Sequence, residues 1–401
     1  MANHLTNEQL IQAAETYGTP LYVYNADTIV SQYKRLTGAF NAKKVRFFYA
    51  CKALTNLNIL KVVKEMGCDV DCSSINEAKL ALYAGFPASR VLYTSNGISF
   101  EEIEEAQSLG IHINIDSLSN LEKFGKKFGG SYPVGLRLRP GIMAGGNLKI
   151  STGHDKSKFG IPAGQLNEIK ALVDAHGIVV NNLHIHTGSD IKDADVFVKG
   201  LKVLFDLAPH FPNLKSIDLG GGFKVAYKQG DASINIDELA EKVLTAFEEN
   251  EATKDLEIWF EPGKFLVSEC GYLITKVNVI KETPATTFAS VNSGFNHLIR
   301  PMFYDAYHRI QNISNPDGRI GEYTVVGNIC ETDTFAWNRD LPEIREGDFL
   351  AFYNAGAYGF EMSSNYNSRY KPAEVLFEGG AHRLIRKRDG FEDLLRGQVF
   401  E

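Results

Sequence analysis

Lys52 closes an apolar, aromatic run in "FFYACKALTN" (47–56). A lysine carried into a desolvating pocket has a lowered pKa, and a neutral amine attacks a carbonyl to form a Schiff base. A solvated lysine after an ordinary strand reads the same in isolation, so its neighbours decide. "DLGGGF" (218–223) sets Gly220, Gly221 and Gly222 in a row. Such a run exposes backbone N–H groups and lets an anion approach closely, although a tight turn needs no more than this. A lysine opposite a phosphate cradle suggests pyridoxal 5′-phosphate (PLP). Glu261, in "EIWFEPG", then offers a carboxylate to the pyridine nitrogen, and a protonated ring is the better electron sink. Read alone, Glu261 is a strand-end residue before Pro262. His184 and His186 lie two apart in "LHIHTG", so on a strand they face the same way. Spacing supplies no third metal ligand, and no metal is expected. As two layers of one interior, they would put His186 at the mouth, where its ring could stack on the pyridine.

These residues need a scaffold that gathers them. Short β-rich runs recur: "VRFFYA" (45–50), "CDVDC" (68–72), "VLYTS" (91–95), "IHINID" (111–116), "VGLRLR" (134–139), "LHIHTG" (183–188), "SIDLGG" (216–221) and "EIWFE" (257–261). Between them, segments such as "NLNILKVVKEMG" place apolar residues every three or four positions and close on glycine. Strand–helix alternation argues for parallel strands with helical crossovers, and eight units match an α/β fold of the (β/α)8 TIM-barrel type. An open doubly wound sheet is the rival arrangement. In a barrel the active site lies at the C-terminal strand ends. Those ends carry Lys52, Asp71, Arg137, His186 with Ser189, the three glycines, and Glu261. After residue 270 the runs "GYLITKVNVIKE", "TTFASVN", "EYTVVGNIC" and "DFLAFYNAGAYG" are β-rich without long helical segments. They predict a mostly antiparallel β domain. "TPLYVYN" (19–25) alternates too and would join it. The expected division is a barrel over 27–270 and a discontinuous β domain over 1–26 and 271–401.

With 401 residues, two domains are the prior. A net charge of −7 disfavours a nucleic-acid partner. No apolar run approaches the ~20 residues of a membrane helix, so no membrane role is expected. "MANHLTNEQLIQAAETYG" reads as an amphipathic helix and not as a signal peptide. The five cysteines show no zinc or disulfide pattern, which predicts thiols and a cytoplasmic protein.

The motifs "YACKALTN", "STGHDKSKFG", "HIHTGSDI", "DLGGGF", "EPGKFLV", "RPMFYDAYH", "GNICETDTF" and "GAYGFEMSSNYNSR" follow one another over about 48–370. In this order the chain resembles the fold-type III PLP-dependent decarboxylases, which share the alanine racemase-like barrel, and most closely their diaminopimelate decarboxylase branch. "RPMFYDAYH" and "SSNYNSR" separate that branch from the ornithine and arginine branches. The resemblance implies decarboxylation of meso-2,6-diaminopimelate to L-lysine and CO2, the last step of lysine biosynthesis. It implies that Lys52 is the Schiff-base lysine, that Asp71 and Arg137 belong to the network around it, and that His186 stacks on the ring. Ser189, Gly220–Gly222 and Tyr358 would bind phosphate, and Glu261 would pair with the pyridinium. Arg300 and Tyr304 would hold the distal carboxylate, Glu331 the distal ammonium, and Lys264 would touch substrate or phosphate. Cys330 would be the proton donor. Cys330 and Glu331 would come from the neighbouring subunit of a homodimer with shared sites.

The chain departs from the family at three places. Lys264 replaces the usual arginine, keeping the charge but losing the bidentate fork. Asp190 stands where glutamine is common. "SNGIS" (95–99) replaces a loop that often carries a lysine. Alternatives remain within reach of the same motifs. One is a decarboxylase of another diamino acid, such as carboxynorspermidine or ornithine. Another is a non-catalytic PLP-binding homologue, although Lys52 and Cys330 are both present. A racemase on the same barrel would use a tyrosine base, and "GNICET" speaks against it. Cys330, Arg300 and Tyr304 also have bland readings, as a buried thiol, a surface arginine and a core ring.

Overall fold

The computed structural model of the chain describes residues 4–41, 44–142, 153–154 and 156–400. Within the "STGHDKSKFG" motif, Ser151, Thr152 and Asp155 lie outside the described residues. The chain divides into two compact units. One comprises Gln32–Val225 and Ala232–Phe265, the other Met1–Ser31, Ala226–Asp231 and Leu266–Glu401.

The first unit is a closed barrel of eight parallel strands: Val45–Ala50, Asp69–Cys72, Val91–Thr94, His112–Ile115, Val134–Arg139, Val180–Ile185, Ser216–Asp218 and Glu257–Phe260. The eighth strand closes on the first, with Ile258 opposite Val45 and Phe260 opposite Phe47. Seven strands fall where the sequence places them. The sixth begins at Val180 instead of Leu183: Asn182 pairs with Gly135 and Ser216, and Asn181 O accepts from Lys215 N at a shift of register. Several of the helices between strands start on side-chain caps. Asn56, Ser74 and Ser117 each accept from a first-turn N–H, filling donors that would otherwise lack partners. The helix Leu57–Glu65 then buries Ile59, Leu60, Val62 and Val63, the stripe that a 3.6-residue period turns inward.

Residues two apart on a strand share a face. Phe47 and Phe260 face the helices, stacked at 5.8 Å and 16°, with Phe40 against both. Phe48 and Trp259 lie at 4.7 Å with the Arg46 guanidinium over both rings. A polar belt crosses the third to seventh strands. Ser216 Oγ donates to Asn182 Oδ1 (2.8 Å), Asn182 Nδ2 to Asn114 Oδ1 (3.0 Å) and Asn114 Nδ2 to Thr94 Oγ1 (2.9 Å). The intervening fifth strand contributes Gly135, where a Cβ would lie 1.9 Å from Asn114 Oδ1. Any larger residue there would break the belt.

The second unit is built on a mixed sheet. Gly271–Glu282 pairs antiparallel with Leu21–Asn25, Thr287–Val291 and Phe349–Phe352. Leu21–Asn25 also runs parallel to Ala373–Glu378, which pairs antiparallel with Ala381–Arg386. Most remaining pairings are antiparallel, and Thr287–Val291 runs parallel to Ile320–Val326. The N-terminal helix Asn7–Tyr17, opened by a Thr6–Gln9 capping box, lays Leu10, Ala13 and Ala14 on this sheet. Among the described residues, no helix is long and apolar enough to cross a membrane.

Two buried histidines make this unit acid-sensitive. His308 Nδ1 donates to Tyr353 O at 2.9 Å, and burial with the Arg300 charge pushes its pKa down to about 3. Burial pushes His297 down to about 4. Below about pH 6.5 the unfolded rings bind protons that the folded rings refuse. Their stabilisation is therefore full above that pH and is lost as pH falls toward 4 to 3. His308 alone should cost about 2 kcal/mol by pH 5. His308→Asn keeps a donor for Tyr353, so the difference between its thermal midpoints at pH 7 and pH 5 should shrink. Equal drops in variant and parent would rule His308 out as a source.

Candidate active site

The groups with chemical potential cluster at the C-terminal ends of the barrel strands. Lys52 sits in a single 3-10 turn, Cys51–Ala53, directly after the first strand. The turn is rigid: Ala50 N donates to Pro262 O, Leu54 N to Cys51 O, and the Tyr49 hydroxyl to Leu54 O. Lys52 itself is exposed, between buried Cys51 and Ala53. The desolvating pocket expected around its amine is therefore not formed by the described residues. Asp71 lies in the second strand and Arg137 in the fifth, both buried, with Arg137 4.7 Å over the Phe159 ring.

Glu261 follows the eighth strand and is buried. His184, at the end of the sixth, lies with Nε2 3.2 Å from Glu261 Oε2. Burial lowers the pKa of His184, so the ring is neutral and donates from Nε2. Burial alone would raise Glu261, but the hydrogen bond from His184 and the Lys52 charge hold it below the usual carboxylate range. Its neighbours go the other way. Burial and the Glu261 charge push both Asp71 and Asp218 well above the carboxylate range. The environment thus shifts Glu261 in the opposite direction from the two carboxyls beside it, the pattern by which like groups take separate roles. Among the described residues, Glu261 Oε1 has no hydrogen-bond partner. An anionic acceptor with one empty position is what a pyridinium N–H requires, so the site fits PLP. His184, Asp218 and Glu261 also bring one ligand atom each to within 4.8 Å of one another, a spacing that a small cation would accept.

His186 follows the same strand and is half-buried. Burial, then Lys52 and Arg137, push it down to about 3. It is neutral, and its Nδ1 accepts from Gly221 N at 3.3 Å, leaving the proton on Nε2. The glycine loop is wedged between the backbones on either side. A Cβ on Gly221 would lie 2.1 Å from Glu261 O, and one on Gly222 2.0 Å from Gly188 O. Gly220 and Gly222 have φ of 66° and 96°, values open chiefly to glycine. Ser189, half-buried, lies in the loop after the sixth strand.

The other expected residues belong to the second unit. Arg300 opens the short helix Arg300–Tyr304 and is buried, so it is no ordinary surface arginine. Its Nη1 donates to the Tyr227 hydroxyl at 2.8 Å. Tyr304 is half-buried with its ring edge-on to Phe303. Cys330 is the exposed one of five free thiols, which removes its reading as a buried one. Asp333 shapes its loop, accepting from Phe295 N (2.7 Å) and Ile329 N (3.0 Å), and Cys330 N donates to Asn367 Oδ1. Glu331, exposed, accepts from the Tyr366 hydroxyl. Tyr358 holds a left-handed backbone, φ 56°. Asp218, Tyr227 and Asp333 were not singled out in the sequence. Asp218 lies inside the "DLGGGF" motif, where the glycines draw the eye.

Residues 26–268 match the model of the pyridoxal-dependent decarboxylase, pyridoxal binding domain. The chain belongs to the pyridoxal-dependent decarboxylase family. Diaminopimelate decarboxylases are among its near full-length relatives. That of Methanothermobacter thermautotrophicus is 39% identical over 97% of this chain and 93% of its own. That of Bacillus subtilis is 34% identical over 96% and 92%. Among solved structures, diaminopimelate decarboxylase from Helicobacter pylori complexed with L-lysine superposes with a TM-score of 0.89 at 34% identity, covering 97% of this chain and 98% of that one. A lysine/ornithine decarboxylase from Vibrio vulnificus, at 22% identity and TM-score 0.82, shares the fold.

Proposed function

We propose that this protein is a PLP-dependent carboxy-lyase that converts meso-2,6-diaminopimelate to L-lysine and CO2, the last step of lysine biosynthesis, in the cytoplasm. The observation that carries the reading is Glu261: buried, ionised, fixed by His184, and with one oxygen open. When bound, PLP supplies an electron sink for the bond broken at the substrate's α-carbon. Lys52 carries the cofactor. Asp71 and Arg137 would set the charge around it, His186 would stack on its ring, and Glu261 would keep its ring nitrogen protonated. Ser189, Gly220, Gly221, Gly222 and Tyr358 hold the phosphate.

Arg300, Tyr304, Glu331, Tyr358 and Lys264 contact the substrate. A guanidinium takes a carboxylate bidentately, and a tyrosine hydroxyl adds a third bond. Glu331 takes the distal ammonium. Fixing both distal groups orients the α-carboxylate for loss, since positioning decides which bond breaks. Cys330 Sγ then delivers a proton to the α-carbon. Its exposure, with that of Glu331, suits residues that serve the site of a neighbouring subunit in a homodimer.

The test offers the purified holoenzyme meso-diaminopimelate, its LL isomer and ornithine separately, and counts CO2. Release from the meso isomer, undiminished by a metal chelator, supports the reading. Release from ornithine instead would overturn the substrate, and inhibition by the chelator would favour a cation at His184, Asp218 and Glu261. Arg300→Ala should lower kcat/KM for diaminopimelate on the order of 100-fold. Unchanged kinetics would remove the distal carboxylate from the substrate's description.

A further inference from the structure

Two residues that stand out in the sequence for separate reasons form one pair in the fold. Lys264 Nζ lies 2.5 Å from Asp190 Oδ1. Lys264 opens the short helix Lys264–Val267 beyond the eighth strand, and Asp190 belongs to the loop after the sixth. The Lys264 side chain is only 10% exposed, and a cation so buried needs a counter-charge. Asp190 is presented from a left-handed backbone, φ 60°, which Asp and Asn tolerate better than most side chains. Ile191, next in the chain, is bonded twice to the glycine loop's strand end. Its N donates to Gly222 O (2.9 Å), and its O accepts from Lys224 N (3.1 Å). The ion pair therefore ties the loops of the sixth and eighth strands across the glycine loop of the seventh.

We propose that Asp190 is a positioning residue that holds the Lys264 ammonium beside the glycine loop and competes for it with the anion bound there. The inference rests on the proposed function, which supplies two such anions, the cofactor's phosphate and a substrate carboxylate. Before an anion arrives, Asp190 neutralises Lys264. The anion meets a paired cation, and its affinity is set below what a lone ammonium would give.

Asp190→Asn removes the charge while keeping size and tolerance of the backbone angle. Resolved apoenzyme is titrated with PLP and with pyridoxal, which lacks the phosphate, by quenching of tryptophan fluorescence. The holoenzyme gives KM and kcat for meso-diaminopimelate. Asp190→Asn is expected to improve one constant about tenfold, leaving pyridoxal binding unchanged. A tighter PLP constant assigns Lys264 to the phosphate, and a lower KM assigns it to the carboxylate. Either gain should vanish when Lys264 is already methionine, or glutamine should Lys264→Met fail to fold. The inference is overturned if neither constant moves, if the gain persists without Lys264, or if pyridoxal gains equally. A parent protein that does not bind PLP would instead overturn the proposed function, whereas normal PLP binding with no Asp190 effect would overturn this inference alone.

Discussion

Lys52→Ala should lower turnover by about three orders of magnitude or more. The residue is presented by a tight turn whose backbone is bonded to Cys51, Pro262 and, through Tyr49, Leu54. Alanine leaves that turn intact, so the variant should fold with an unchanged thermal midpoint. The glycine loop and Glu261 remain, and PLP should still bind, without the visible band of lysine-bound cofactor. A subunit-mixing experiment adds the assembly. If Cys330 serves the neighbouring subunit, Lys52→Ala and Cys330→Ala dimers, each inactive, should regain activity on exchange. Half of the dimers are then mixed, and each has one intact site of two, so recovery should reach about a quarter of the parent's activity. Verified exchange without recovery would place Cys330 in its own subunit's site or outside the reaction.

Glu261→Gln is the second large effect. The substitution keeps the shape but removes the carboxylate whose pKa is held low at the site. A neutral amide cannot hold a pyridinium, and its N–H₂ would face His184 Nε2–H if it took the position of Oε2. The expected loss in kcat is on the order of 10²- to 10³-fold, with KM changed far less, because the interaction matters most when charge develops in the ring. The absorbance of the bound cofactor should shift with loss of the ring proton. A full-strength kcat in this variant would show that the ring works unprotonated, and the role given to Glu261 would fall.

Much of this was legible in the chain because parallel strands buried on both faces are short apolar runs that announce themselves, and seven of eight began near where those runs begin. The sixth did not, since Asn181 and Asn182 carry the signature of a turn while Asn182 is satisfied by Asn114 and Ser216. A hydrogen bond between distant residues leaves no trace in local composition. For the same reason, Lys264 and Asp190 read as two unrelated departures, although 2.5 Å separates their charged atoms. Strand-end position marked Lys52, Asp71, Arg137, His186 and Glu261 as candidates. It gave no hint that Asp71 and Asp218 are shifted up while Glu261 is held low, because that ordering comes from mutual distance in a desolvated space.

The belt from Ser216 through Asn182 and Asn114 to Thr94 donates in one rotational sense only. Turning one amide over alone would set like groups against each other between Asn182 and Asn114, whereas the Ser216 and Thr94 hydroxyls at the ends can donate or accept. Sliding any of these strands by one residue would swing its polar group to the outside and bring an apolar neighbour, such as Ile113 or Leu183, inward. The belt thus works as a keyed latch. Strands lined by interchangeable valines could pair with several staggers, whereas the belt holds the third to seventh at one, and that stagger sets the height of His184, two residues above Asn182.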